Sequence, residues 1–350
     1  MDTAALGHNL SRVREIAPGC RVLAVLKANA YGHGMVASAR TLAGADGFAV
    51  ARLGEAMALR AAGFSNRIVL LEGVTSPEEL QCAAQNAIEL VVHQPEQVRL
   101  LEAWRGGHRF RTWLKIDTGM GRLGFRSADV AGALARLADC SSVESPVHLM
   151  THLAEAELRH SGRTGAQLQS FAQLTSGLPG ERSIANSAGL IDWPAARADW
   201  VRPGLMLYGI SPFADRSAAD LGLRPVMRLE SRVIAIKELA AGDRVGYGGA
   251  WIAPRRARIA IAAGGYGDGY PRNAAAGTPV LVNDMLAPLA GRVSMDMLTI
   301  DVTELSRVAI GDPVVLWGRG VSVETVAAGA GTIPYELVCR VSERVPVELC

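Results

Sequence analysis

Aromatic side chains are scarce, at 5% of 350 residues, so any core must be packed mainly by the Ala, Val and Leu of a 49% hydrophobic composition. Cysteine is sparse too: residues 20, 82, 140, 339 and 350 form no CxxC pair, which implies no metal or disulfide framework and suits reduced thiols in the cytosol. Neither sign of charge dominates. The net charge is +2, and the longest basic knot, Arg255, Arg256 and Arg258, is too short to make a phosphate-binding stripe, which argues against a nucleic-acid partner. No apolar run reaches membrane-spanning length, and Met1 leads directly into the polar, helix-like segment 2–10, so a cytoplasmic protein without membrane contact is expected.

What is present is a repeated alternation of short apolar blocks with helical periodicity. Segments 21–27, 47–52, 67–73, 88–93, 111–117, 146–152, 182–187 and 201–209 read as strands. Most are separated by helical stretches such as 35–43 and 130–138, and Ser76-Pro-Glu-Glu79 carries a capping serine, a first-turn proline and a capping-box glutamate. Eight such units, with no GxGxxG after the first strand, predict a closed (β/α)8 TIM-type barrel over 1–220. Beyond residue 220 the pattern becomes β-type runs punctuated by Gly, Pro and Asp, among them 228–236, 257–262, 279–282, 297–302 and 313–317, predicting a mostly antiparallel β domain over 221–350.

Lys27 ends the first apolar run and opens the polar loop Lys27-Ala-Asn-Ala-Tyr31-Gly-His-Gly34, where an amine is both desolvated and able to meet a carbonyl cofactor. This octapeptide resembles the signature of the alanine racemases. The resemblance continues through Leu114-Lys-Ile-Asp-Thr-Gly-Met-Gly-Arg-Leu-Gly-Phe125, Ala185-Asn-Ser-Ala188, Val201-Arg-Pro-Gly-Leu-Met-Leu-Tyr-Gly209, Val245-Gly-Tyr-Gly248, Gly265-Tyr-Gly-Asp-Gly-Tyr-Pro-Arg272 and Gly291-Arg-Val-Ser-Met-Asp296, in family order over nearly the whole chain. It implies a pyridoxal 5'-phosphate (PLP) enzyme of fold type III that interconverts L- and D-alanine, with this same two-domain layout.

Racemisation needs a proton taken from one face of Cα and returned on the other, hence two bases. The resemblance assigns these to Lys27 and Tyr247. A free phenol with a pKa near 10 is only roughly 0.1% ionised at pH 7, so cationic neighbours are required, and His152, Arg122 and Arg202 are the matched residues. Arg202 is implied at the pyridine nitrogen, where a guanidinium keeps the ring a shallow electron sink. Tyr31, Asn186, Ser187, Gly204, Leu205 and Tyr335 are implied at the phosphate, and Arg122 at the substrate carboxylate. Met295, Asp296 and Tyr266 are implied to wall and narrow the substrate pocket, and Lys115 to be carbamylated. Because Tyr247, Tyr266 and Met295 belong to the β domain, the resemblance implies a head-to-tail homodimer in which each chain completes its partner's site.

Two other patterns carry less. His148 and His152 are four apart, but on a strand and without the glutamate of HExxH, so no metal is expected; the Gly-rich 264–270 loop lacks the lysine of a P-loop. Racemisation of another small amino acid such as serine, or barrel-type PLP decarboxylation, remains open, as does a catalytically silent PLP carrier; Tyr247 and Arg202 speak against decarboxylation, and the second domain against the carrier. Family members usually begin with an apolar strand carrying a tryptophan ahead of the Asp2-Thr-Ala-Ala-Leu6 segment. This chain starts at or after that point, which leaves either a looser domain arrangement or a start placed late. Whether D-alanine is made for peptidoglycan or degraded is not written in the residues.

Overall fold

Short apolar blocks joined by amphipathic helices satisfy their backbone groups by pairing side by side, with the helices covering the outer face. The computed structural model describes residues 1–350 and contains that arrangement closed into a ring. Strands β1 (Arg21–Val25), β2 (Gly47–Val50), β3 (Arg67–Leu70), β4 (Glu89–Val92), β5 (Thr112–Lys115), β6 (His148–Met150), β7 (Arg182–Ser183) and β8 (Trp200–Val201) pair in parallel in that order. Closure runs through Arg21 with Trp200 and Val22 with Val201. All eight expected strands occur, each shorter than its apolar block, because the chain leaves the ladder early at the C-terminal end to build loops. The block 201–209 shows this most clearly: only Trp200–Val201 pair, and Leu205–Tyr208 turn as a buried 3-10 helix.

The helix Pro77–Gln85 starts where its cap residues predict. Ser76 Oγ accepts from Glu79 N at 3.2 Å, while the Glu79 carboxylate reaches one residue further back than a capping box requires, to Thr75 N at 2.7 Å. No helix is long and apolar enough to cross a membrane.

The second body of sheet is antiparallel. Its strands are β9 (Leu229–Leu239), a ribbon of β10 (Arg244–Val245) with β11 (Trp251–Ile252), then β12 (Ala257–Ala263), β13 (Pro279–Val282), β14 (Met285–Pro288), β15 (Met297–Asp301) and β16 (Pro313–Trp317). Six of them form one sheet in the order β14-β13-β16-β9-β12-β15, and a bridge from Leu289 to Ile300 curls its two edges towards each other. Two short helices follow, Val323–Gly329 and Pro334–Cys339. The second returns to the barrel mouth, so that a Cβ added to Gly32 would lie 1.9 Å from the Val338 carbonyl oxygen.

Candidate active site

The two ends of the barrel differ in charge. At the N-terminal end, Arg21 meets Glu181 at 2.5 Å, Arg67 meets Glu89 at 2.5 Å, and Arg111 lies 3.3 Å from both Glu89 and Glu144. Cations and carboxylates balance there. At the C-terminal end, a cavity of about 550 Å³ is lined by Lys27, Lys115, Arg122 and Arg202, with Glu72 as its single carboxylate. The chain has three lysines in all, and two of them face this space. Such an excess of positive charge, with Arg202 buried and Lys27 and Lys115 half-buried, favours an anionic ligand that neutralises it.

Lys27 stands where the backbone leaves β1 and turns with the wrong hand. Ala28, Asn29, Ala30 and Tyr31 have φ of 54, 53, 56 and 53°, a left-handed region that costs a non-glycine residue about 1–2 kcal/mol. The turn is closed by Ala30 N to Leu26 O at 2.8 Å and Gly32 N to Ala28 O at 3.0 Å. Because one helical turn returns residues four apart to the same side, Lys27 and Tyr31 both line the cavity. Burial, and then the Arg122 guanidinium, lower the Lys27 pKa below the usual lysine range.

Arg202 follows β8 and is 4% exposed. Its guanidinium donates to Ser183 Oγ at 2.7 Å, Thr151 O at 2.6 Å and Ile184 O at 3.2 Å, which fixes it against the strand ends, and burial lowers its pKa to about 10. It also lies 3.3 Å from His152 Nδ1. Since a guanidinium can only donate, Nδ1 is the acceptor and the proton of a neutral ring sits on Nε2. Burial, and then the charges of Arg202 and Lys115, hold His152 well below its ordinary pKa. A neutral His152 is a hydrogen-bonding member of the network, beside the charges of the arginines and lysines.

Lys115, at the end of β5, is pushed down to about 8 by burial and then by Arg202, Arg122 and Lys27. Arg122 is exposed at the rim, on a loop folded by the Asp117 carboxylate, which accepts from Gly119 N and Gly121 N at 3.0 Å each. On the opposite side, Ser187 Oγ accepts from Gly204 N at 3.1 Å and Met206 N at 3.3 Å, and Asn186 Oδ1 caps the next turn from Gly189 N at 2.9 Å. A Cβ at Gly204 would come within 2.5 Å of the Tyr31 hydroxyl, so only glycine leaves this corner open. Burial raises the Tyr31 phenol, and burial together with Glu157 raises that of Tyr335 to about 12, so both remain hydrogen-bond donors.

Lys27, Tyr31, Lys115, Arg122, His152, Asn186, Ser187, Arg202, Gly204, Leu205 and Tyr335 thus share one cavity. Tyr247, Tyr266, Met295 and Asp296 do not line it; on the β domain, Tyr247 is 67% exposed, Met295 53% and Tyr266 39%. Glu55, Asn29 and His33 were not singled out from the sequence, yet they hydrogen-bond the turn that carries Lys27. Their signal was present only as a helix-start glutamate and two polar residues inside the octapeptide. A phosphate-bearing aldehyde fits this set: a desolvated amine, two protonated phenols, a hydroxyl already gathering backbone N–H groups, and a corner that only glycine leaves vacant.

Family models described as the N-terminal and C-terminal domains of alanine racemase match residues 1–212 and 226–349. An alanine racemase of Nitrosococcus oceani is 52% identical over 347 residues, covering 99% of this chain and 97% of the relative. One from Aeromonas hydrophila is 48% identical, covering 99% and 98%. The crystal structure of the biosynthetic alanine racemase from Pseudomonas aeruginosa superposes with a TM-score of 0.97 at 47% identity, covering 100% of this chain and 98% of the other. The barrel with its appended antiparallel domain, the cationic cavity at the strand ends and these full-length likenesses agree: this chain belongs to the alanine racemase family of enzymes.

Proposed function

We propose that the chain racemises alanine with PLP carried on Lys27, using Lys27 and Tyr247 of the partner subunit as bases on opposite faces of Cα. The observation that carries this reading is the pairing of a desolvated amine inside an anion-demanding cavity with an exposed phenol on the second domain. PLP held there supplies an electron-accepting ring that acidifies the α-proton of an amino acid joined to its aldehyde.

The chain's own groups divide the remaining work. Tyr31, Tyr335, Asn186, Ser187 and the backbone at Gly204 and Leu205 would hold the phosphate. Arg202, anchored by three strand-end oxygens, would hold the ring nitrogen side of the cofactor and disfavour its protonation, since a second cation there would be repelled. Arg122, at the rim, takes the substrate carboxylate with a forked pair of N–H donors. Lys27 removes or returns the proton on one face, a role that a pKa lowered by burial and by Arg122 favours. Tyr247 of the partner subunit acts on the other face, its phenolate stabilised by hydrogen bonding to neutral His152 and the Arg202 charge behind it. Lys115 as a carbamate would turn a cation into an anion beside Arg122. Met295 and Asp296 of the partner subunit close the pocket around a methyl side chain, and Tyr266 of the partner subunit narrows the way in.

Homodimerisation is part of the same proposal, because the second base has no cavity of its own to serve. A cytoplasmic location also belongs to it, supported by five free cysteines that suit a reducing compartment. D-alanine made there would enter peptidoglycan, or the reverse reaction would degrade it. The test is to load the protein with PLP, reduce it with borohydride and map the adduct, then follow L-alanine by chiral analysis alongside serine and a CO2 assay. The expected outcome is one phosphopyridoxyl group on Lys27, racemised alanine and no CO2. An adduct on another lysine, or CO2 in place of D-alanine, would overturn the reading.

A further inference from the structure

The left-handed turn after β1 has to be held by something. Four consecutive non-glycine residues at positive φ would relax if only their own hydrogen bonds opposed it. Three side chains supply the restraint. Asn29 Oδ1 accepts from Met35 N at 2.8 Å, and His33 Nδ1 donates to the carbonyls of Tyr31 at 2.8 Å and Ala30 at 3.0 Å. Both belong to the turn's own loop. The third, Glu55, comes from the next barrel unit.

The Glu55 carboxylate accepts three backbone N–H groups. One oxygen takes Ala28 N at 2.7 Å, immediately after Lys27, and the other takes Ala51 N at 2.9 Å and Arg52 N at 3.1 Å, immediately after β2. β1 and β2 are paired neighbours in register, Val25 opposite Ala49, so this one side chain laces together the loops that leave two adjacent strands. The first N–H groups of a helical turn have no partner within it, and Ala28 N is such a donor of the Lys27 turn, while Arg52 is the N-cap of the helix Leu53–Ala61 that carries Glu55 and Ala51 precedes it. A carboxylate is the side chain best suited to gather several such donors at once.

The turn's two ends are therefore restrained from different directions. The Tyr31 end is held by His33 and by the tight approach of Gly204, and the Lys27 end by Glu55. We infer that Glu55 is a positioning residue for Lys27: by fixing Ala28 N to the neighbouring βα loop, it sets where the lysine nitrogen meets the cofactor aldehyde, independently of how the phosphate is gripped. This rests on the reading of Lys27 as the PLP-bearing lysine. In the reaction concerned, the amine lone pair adds to the aldehyde carbon and the carbonyl oxygen leaves as water, so a misaimed nitrogen lowers the yield of the carbon–nitrogen double bond.

The experiment compares full-length wild type, Glu55→Gln and Glu55→Ala, each stripped of cofactor and refilled with either PLP or pyridoxine 5'-phosphate, which has the phosphate but no aldehyde. Glu55→Gln keeps the shape of the side chain while replacing one acceptor oxygen by a donor. Pyridoxine 5'-phosphate affinity, expected to change less than about 3-fold, serves as the check that each variant folds with its phosphate grip intact. The fraction of PLP reducible onto Lys27 is expected to fall by about 10-fold or more for Glu55→Ala, and less for Glu55→Gln, at every pH between 6 and 9. Loss of both ligands in equal measure would assign Glu55 a general structural role. A mere shift of the pH midpoint, with the same plateau, would make it a source of charge only. Either result, or no change, would overturn the inference. Should wild type itself give no adduct on Lys27, the reading of the cofactor lysine fails, whatever the variants do.

Discussion

The surroundings of Lys115 make its amine far easier to deprotonate than an ordinary lysine. Held down to about 8 by burial and by Arg202, Arg122 and Lys27, it is about a quarter neutral at pH 7.5, against roughly 0.1% for an ordinary lysine. Only the neutral amine can add to CO2, forming an N–C bond and releasing a proton. The same shift has a stability consequence with a definite sign. Above the unfolded pKa of 10.5 the amine is neutral in both states and costs nothing; as pH falls the unfolded chain takes up the proton first, and the penalty grows until it is complete below about 8. In CO2-free buffer, Lys115→Met is therefore expected to melt above wild type at pH 7, with the difference shrinking to zero as pH rises through 8 to 10.5. Thermal melts over that range check this, and a difference independent of pH would contradict it.

Among the elements, the left-handed turn and the last helix depend on each other. Gly32, at φ +77°, ends the turn against Val338, and Tyr335 on the same helix lines the cavity 5.9 Å from the Tyr31 ring. Gly32→Ala would meet both a forbidden backbone conformation and a backbone oxygen that cannot step aside. A loss of at least about 2 kcal/mol in denaturant stability is expected, together with weaker PLP binding as Tyr335 is displaced. Unchanged stability and PLP affinity would show that the helix tolerates withdrawal from the turn. The barrel strands were legible because each is an apolar block between helical stretches. The turn was not, since Ala28, Asn29 and Ala30 carry no glycine to announce positive φ. Leu205–Tyr208 falls within an apolar run that looks like strand, because a short buried apolar run has the same pattern in strand and in helix. The edge strand Met285–Pro288, mostly exposed, and the helices Val323–Gly329 and Pro334–Cys339, each under two turns, lacked the periodicity that would have marked them.

Across the whole molecule, the cavity collects groups from the barrel and from the last helix, Tyr335 and Cys339, while the β domain leaves Tyr247, Ile252, Met295 and Met297 exposed. Motif resemblance alone points to those β-domain residues, because local spacing carries no information about which residues of another domain or subunit a side chain meets. Lys27, by contrast, is legible from its place at the end of the first apolar run, and two of the chain's three lysines face the cavity. The proposed function requires the exposed Tyr247 phenol and the half-buried Lys27 amine to form one site between two copies of the chain meeting head to tail. Dissociating and remixing inactive Lys27→Ala and Tyr247→Phe proteins in equal amounts tests this directly. Half of the dimers would then be mixed, each with one intact site of two, so alanine racemisation is expected to return to about a quarter of the wild-type rate per chain. A mixture as inactive as its components, with mixed dimers demonstrably formed, would contradict the shared site.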